Sequence, residues 1–130
     1  MGPEALRILI VDDHEDSAEM LSMLLTGKGH TTRLALDGTA ALAVAAAFKP
    51  HVGLLDLSLP GMSGFELAQH LRAVPGLSQI RLVAVTGHGS DAHRAKARAA
   101  GFTDHFLKPV DLQAIDAVLA SVRQAIAQAR

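Results

Sequence analysis

The chain has 130 residues, 49% of them hydrophobic, with twelve Lys plus Arg against thirteen Asp plus Glu and a formal charge of −1. So even a balance gives no bulk attraction to nucleic acid or to an anionic membrane, so partners must be recognised locally and direct nucleic-acid binding is not expected. Cysteine is absent, which removes thiol catalysis, thiolate-bound zinc and disulfides together. A chain of this length buries roughly two thirds of its unfolded surface on folding, enough for one core without staples. The start, Met1-Gly2-Pro3-Glu4, lacks a basic and apolar export pattern, and no apolar run approaches the ~20 residues of a membrane span. A cytoplasmic domain without membrane insertion is therefore expected.

Short apolar runs alternate five times with longer helical patterns, as in an α/β fold whose doubly wound parallel sheet is covered on both faces. The first strand is placed at 7–12, and Asp13 is expected to cap a first helix running to about Lys28, with Ala18, Leu21, Leu24 and Leu25 facing inward. Gly27 and Gly29 can end it. A strand at 31–36 precedes a helix from Thr39 to Phe48, whose small side chains permit close approach to the sheet. The strand at 52–56 ends on Asp56. Ser63 and Glu66 make a capping-box pattern for a third helix that buries Leu67 and Leu71 and stops near Pro75 and Gly76. A fourth strand, 80–85, leads through Thr86 and Gly87 to a helix over about Asp91 to Ala100.

That fourth helix offers only alanines to the core, interleaved with Arg94, Lys96 and Arg98, which read as a solvated face. Burying alanine yields far less than burying leucine, so this helix should be the most loosely held. The fifth strand, 104–107, is followed by Lys108 and Pro109, and Asp111 opens a last helix. Its stripe of Leu112, Ile115, Leu119, Val122 and Ile126 is spaced 3, 4, 3 and 4, a core face first and a homodimer face second. These elements use the whole chain as one domain, 1–130, with a core of about 7–128.

Parallel strands put Asp12, Asp13, Asp56, Thr86 and Lys108 on one carboxyl edge, where open α/β sheets place ligands. Three carboxylates there need a cation to coexist. An oxygen-only set suits magnesium, which takes one or two carboxylates, waters and phosphate oxygens. With that ion and Lys108 offsetting charge, a carboxylate can attack phosphorus to give an acyl phosphate, and Thr86 can donate to a phosphoryl oxygen.

The fragments Ile8-Leu9-Ile10-Val11-Asp12-Asp13, Asp56-Leu57-Ser58-Leu59-Pro60-Gly61-Met62-Ser63-Gly64, Val85-Thr86-Gly87 and Lys108-Pro109, in this order, resemble a two-component response-regulator receiver domain of the chemotaxis-regulator type. The resemblance spans Arg7 to about Gln128. It implies a flavodoxin-like fold with strand order 2-1-3-4-5 and a domain that is no turnover enzyme, losing its phosphoryl group slowly by self-hydrolysis. By resemblance, Asp56 accepts the phosphoryl group from a histidine kinase or a histidine phosphotransfer protein. Asp12, Asp13, Asp56 and the Ser58 main-chain carbonyl hold Mg2+, for which Mn2+ can substitute. Lys108 contacts the phosphoryl group, and its peptide bond to Pro109 is expected to be cis.

The switch position, three residues before the lysine, usually carries Tyr or Phe and here is His105, while Phe106 alternates to the opposite face. Thr86 drawn toward the phosphoryl group, with His105 moving inward behind it, would alter the face of the fourth helix, fifth strand and fifth helix. A mobile His105 would add a sensitivity to pH. Ser58 and His88 flank the path of attacking water and are candidates for tuning the acyl-phosphate lifetime. His14, His30, His51, His70 and His93 lack metal-ligand spacing and read as surface residues.

Two other classes compete. A haloacid-dehalogenase-like phosphatase also uses a strand-end aspartate with magnesium, but wants a second acid where Ser58 stands. A pseudo-receiver that only binds proteins would have lost an acid or the lysine. The phrases Val11-Asp12-Asp13-His14-Glu15-Asp16 and Thr86-Gly87-His88-Gly89 resemble receivers of hybrid histidine kinases more than those of transcription factors. A monomer or weak homodimer is expected.

Overall fold

A computed structural model describes residues 5–87 and 91–128. Its elements alternate as β1 (Arg7–Val11), α1 (Glu15–Gly27), β2 (Thr31–Ala35), α2 (Gly38–Phe48), β3 (Val52–Asp56), α3 (Gly64–Ala73), β4 (Arg81–Thr86), α4 (Asp91–Ala99), β5 (Asp104–Leu107) and α5 (Leu112–Gln128). The sheet is wholly parallel with strand order β2-β1-β3-β4-β5. The expected architecture and order are therefore observed.

Side-chain alternation along each strand divides the core in two. Leu9, Val11, Leu55, Leu82 and Ala84 pack under α2, α3 and α4 with Ala41, Ala45, Leu67, Leu71 and Ala97. Ile8, Ile10, Val52, Leu54, Val83 and Val85 face α1 and α5 with Ala18, Leu25, Ile115, Leu119 and Val122. Burial on both faces explains the continuous apolar runs, and all five residues of β3 are buried, Asp56 among them. Ala41 and Ala45 are fully buried, so α2 does lie close on the sheet. Among the described side chains of α4 only Ala97 is buried, as its alanine-and-cation pattern implied.

Several local expectations need correction. Asp13 does not cap α1: the N-cap is His14, whose side chain makes no capping bond, and its N–H is taken by the Asp12 carboxylate at 2.9 Å. Leu24 is 47% exposed, because α1 turns only Ala18 and Leu25 fully inward. Helix α2 starts one residue early, capped by Asp37, which accepts from the Ala40 N–H at 2.8 Å. Strand β4 is displaced by one residue, so Thr86 is its last residue rather than the first beyond it. The Ser63 cap on α3 is present, accepting from the Glu66 N–H at 3.2 Å.

His30 is buried, contrary to the surface reading, and His51 is half-buried. Their Nδ1 atoms accept the main-chain N–H of Leu6 (3.2 Å) and Arg7 (2.9 Å), satisfying donors at the amino edge of the sheet. Cations close the same edge: the Arg7 guanidinium donates to the carbonyls of Phe48 and Lys49, and that of Arg72 to the carbonyls of Ser78 and Gly101. The carbonyls of Phe48, Lys49 and Gly101 sit at or just beyond helix carboxyl ends, where positive charge complements the helix dipole. That edge is thus stitched structurally, and the opposite edge is left for chemistry.

Candidate functional site

The carboxyl ends of β1, β3, β4 and β5 converge as the parallel order requires. Asp12 and Asp56 are 8% and 6% exposed and Thr86 is fully buried, whereas Asp13 is exposed. Lys108 reaches across from β5 and donates to Asp12 Oδ2 at 2.9 Å and to Asp56 Oδ2 at 3.0 Å. Two buried carboxylates thus share one ammonium. The other Asp56 oxygen, Oδ1, accepts the Ser58 N–H at 3.0 Å, so the loop after β3 fixes the carboxylate. The Lys108 N–H donates to the Thr86 carbonyl at 2.9 Å, tying β5 to β4 at the site, and the Lys108–Pro109 peptide is cis.

Asp12, Asp13, His14 and Asp56 bring one ligand atom each to within 4.8 Å of one another. Three carboxylates around one ammonium leave negative charge in excess, and hard oxygen donors in that state fit a divalent cation. His14 is the member that the sequence reading missed. Its Nδ1 lies 3.3 Å from Asp13 Oδ1 and 3.4 Å from Asp12 Oδ1. Adjacency to the acid pair was the available signal. Spacing between histidines could not reveal it, since the partners are carboxylates.

Burial opposes ionisation of Asp12, yet the His14 N–H and the Lys108 ammonium outweigh it and hold this carboxyl below its ordinary range. Burial also opposes the Lys108 charge, but Asp12 and Asp56 raise it above the ordinary lysine value. Both groups are therefore charged at neutral pH.

His105 lies on β5, paired in register with Ala84. Among the described residues, neither of its buried ring nitrogens has a hydrogen-bond partner. Phe106 packs on the α1 and α5 side, so the expected alternation holds. Burial, then Arg94 and His93 of α4, push the His105 pKa down. Burial, then Arg123 and Lys28 against an opposing Asp116, do the same to His30. Ser58 is exposed beside Asp56, and His88 lies outside the described residues.

A pH dependence of stability follows. A native state that favours neutral His30 and His105 binds fewer protons than the unfolded chain, so stability is full above the ordinary histidine range and falls as pH drops through it. A series of urea midpoints from about pH 7.5 to about pH 5 should decline, and His105→Phe should flatten part of the slope. An unchanged slope would mean that the ring is not held neutral.

Comparison with known proteins agrees with this geometry. The family model "Response regulator receiver domain" matches residues 8–120. Response regulator PleD of Caulobacter vibrioides is 36% identical over 105 residues, which cover 81% of this chain and 23% of PleD. DNA-binding response regulator MtrA of Mycolicibacterium paratuberculosis is 39% identical over 103 residues, 79% of this chain and 44% of MtrA. The chain thus spans less than half the length of these curated relatives. Chemotaxis protein CheY4 of Vibrio cholerae superposes with a TM-score of 0.85 at 27% identity, covering 92% of this chain and 99% of that one.

Proposed function

The chain belongs to the response regulator receiver domain family, and from that premise we propose that it is a magnesium-dependent phosphoacceptor in which Asp56 takes a phosphoryl group from a phosphohistidine. The carrying observation is Lys108 bridging the buried Asp12 and Asp56 carboxylates, with Asp13 alongside. An Asp56 oxygen forms the new P–O bond as the donor's P–N bond breaks, and the imidazole leaves with the electron pair. Lys108 is held charged where the transferred oxygens arrive, so it can exchange a carboxylate contact for a phosphoryl one. Asp12, Asp13, Asp56 and the Ser58 carbonyl would hold Mg2+, or Mn2+ in its place. When bound, that ion offsets the charge of the acids and of the phosphoryl oxygens.

Thr86 then donates its hydroxyl to a phosphoryl oxygen, and His105 follows it inward. Among the described residues no hydrogen bond anchors the His105 ring where it rests, and α4, with one buried described side chain, offers little resistance. Ser58 and His88 tune the lifetime of the adduct. The donor is a histidine kinase or histidine phosphotransfer protein. Met20, Met23 and Leu24 are 66%, 74% and 47% exposed on α1, the helix that starts just after the acid pair, and give the donor an apolar surface to dock on.

The phosphatase reading finds no support in the family match, and Ser58 stands where its second acid belongs. The pseudo-receiver reading is disfavoured because every acid and the lysine are in place. Incubation with acetyl phosphate and Mg2+, followed by intact mass spectrometry, should add one phosphoryl group that is lost slowly. Sustained turnover of a small phosphate ester, or no adduct with any donor, would overturn the proposal.

A further inference from the structure

Asp12 divides its oxygens at the acidic centre. Oδ2 is occupied by Lys108, whereas Oδ1 accepts the His14 main-chain N–H at 2.9 Å and also faces the His14 ring, as does Asp13 Oδ1. Six-coordinate ions with bonds of about 2.1 Å place neighbouring donors about 3.0 Å apart and opposite donors about 4.2 Å apart. The 3.3 and 3.4 Å separations from Nδ1, within a set spanning 4.8 Å, already approach such an arrangement. The imidazole side chain is 71% exposed, so the last few tenths of an ångström require no repacking. Nδ1 lies within hydrogen-bonding reach of the Asp12 carboxylate, and a metal ion entering here would take the tautomer that carries its proton on Nε2, leaving the Nδ1 lone pair as the ligand.

We infer that His14 makes this centre a mixed nitrogen and oxygen site that prefers late first-row transition ions, Co2+ or Ni2+ over Mg2+, with Nδ1 as a direct ligand. Imidazole contributes little to magnesium, a hard ion that favours oxygen, and much to the later ions, whose affinities rise along the series from Mn2+ to Cu2+. The inference rests on the proposed metal site and adds its selectivity. One side chain at the rim would thereby widen a preference that the carboxylates alone set only weakly.

Calorimetric titration of the full chain with Mg2+ and with Co2+ tests this, together with the visible absorption of the bound Co2+. Wild type should bind Co2+ on the order of a hundredfold more tightly than Mg2+, and in His14→Ala the ratio of the two affinities should fall about tenfold, with a change in the absorption bands. An unchanged ratio and spectrum would overturn the inference. Asp13→Asn separates it from a cobalt ion held by another histidine: undiminished Co2+ binding in that variant would also overturn it. Mg2+ binding that is absent from wild type, or indifferent to Asp13→Asn, would instead defeat the underlying metal-site reading.

Discussion

Asp56→Asn loses phosphoryl uptake altogether while keeping its fold. The substitution is nearly isosteric at a position 6% exposed, and an amide oxygen can still accept the Ser58 N–H that Asp56 Oδ1 accepts at 3.0 Å. What disappears is the anionic nucleophile, because an amide cannot form the acyl phosphate. Electrostatics works in the fold's favour: the three clustered carboxylates become two, and Asp12 remains bonded to the Lys108 ammonium at 2.9 Å. The unfolding midpoint should therefore stay within about 1 kcal/mol of wild type, since relieved repulsion offsets the lost Lys108 contact. Intact mass after acetyl phosphate and Mg2+ reads the first expectation and urea denaturation the second. Labelling at the wild-type level would remove Asp56 as the acceptor.

Gly64→Ala should damage both stability and labelling, for a reason of space. Gly64 opens α3, and its N–H donates to the Leu57 carbonyl at 3.1 Å. A Cβ at this position would stand 2.6 Å from the Asp56 carbonyl oxygen and 2.7 Å from Leu57 Cα. Both are backbone atoms, so no side chain can swing away, and the end of β3 must shift instead. Overpacking of this kind costs about 1–3 kcal/mol, and here the displaced peptide carries the phosphoacceptor. Acetyl phosphate labelling should slow at least about tenfold, since small misplacements of a reacting group are expensive. Gly61 is the contrast: its φ of 77° disfavours alanine, but nothing lies within 4 Å of an added Cβ. Gly61→Ala should therefore cost about 1 kcal/mol through the backbone alone and leave Asp56 in place. If the two variants behaved alike, close packing against β3 would not be the reason for Gly64.

Much of this was legible in the chain. Apolar runs closed by Asp12, Asp56 and Thr86 place three functional groups on one edge as soon as the strands are parallel, because strand direction fixes which end is which. The stripe of α5 and the Ser63 cap were equally plain, being local patterns of hydrophobicity and hydrogen bonding. Less visible were features that depend on a distant partner. His30 reads as an ordinary loop histidine until the β1 chain start arrives to donate its N–H, and Leu24 reads as core until the pitch of α1 turns it outward.

The parallel architecture, the edge that carries the chemistry and the residue types assembled there can be read from the chain, because strand polarity and side-chain alternation are written in the order of apolar and acidic residues. How the charges are shared emerged on folding. That Lys108 binds Asp12 and Asp56 while His14 faces Asp12 and Asp13, and that Gly64 must be bare because β3 presses on it, depends on distances of 2.6 to 3.4 Å between segments far apart in the chain or folded back on themselves. Periodicity fixes faces and ends. Contacts at atomic range are set by how the layers pack.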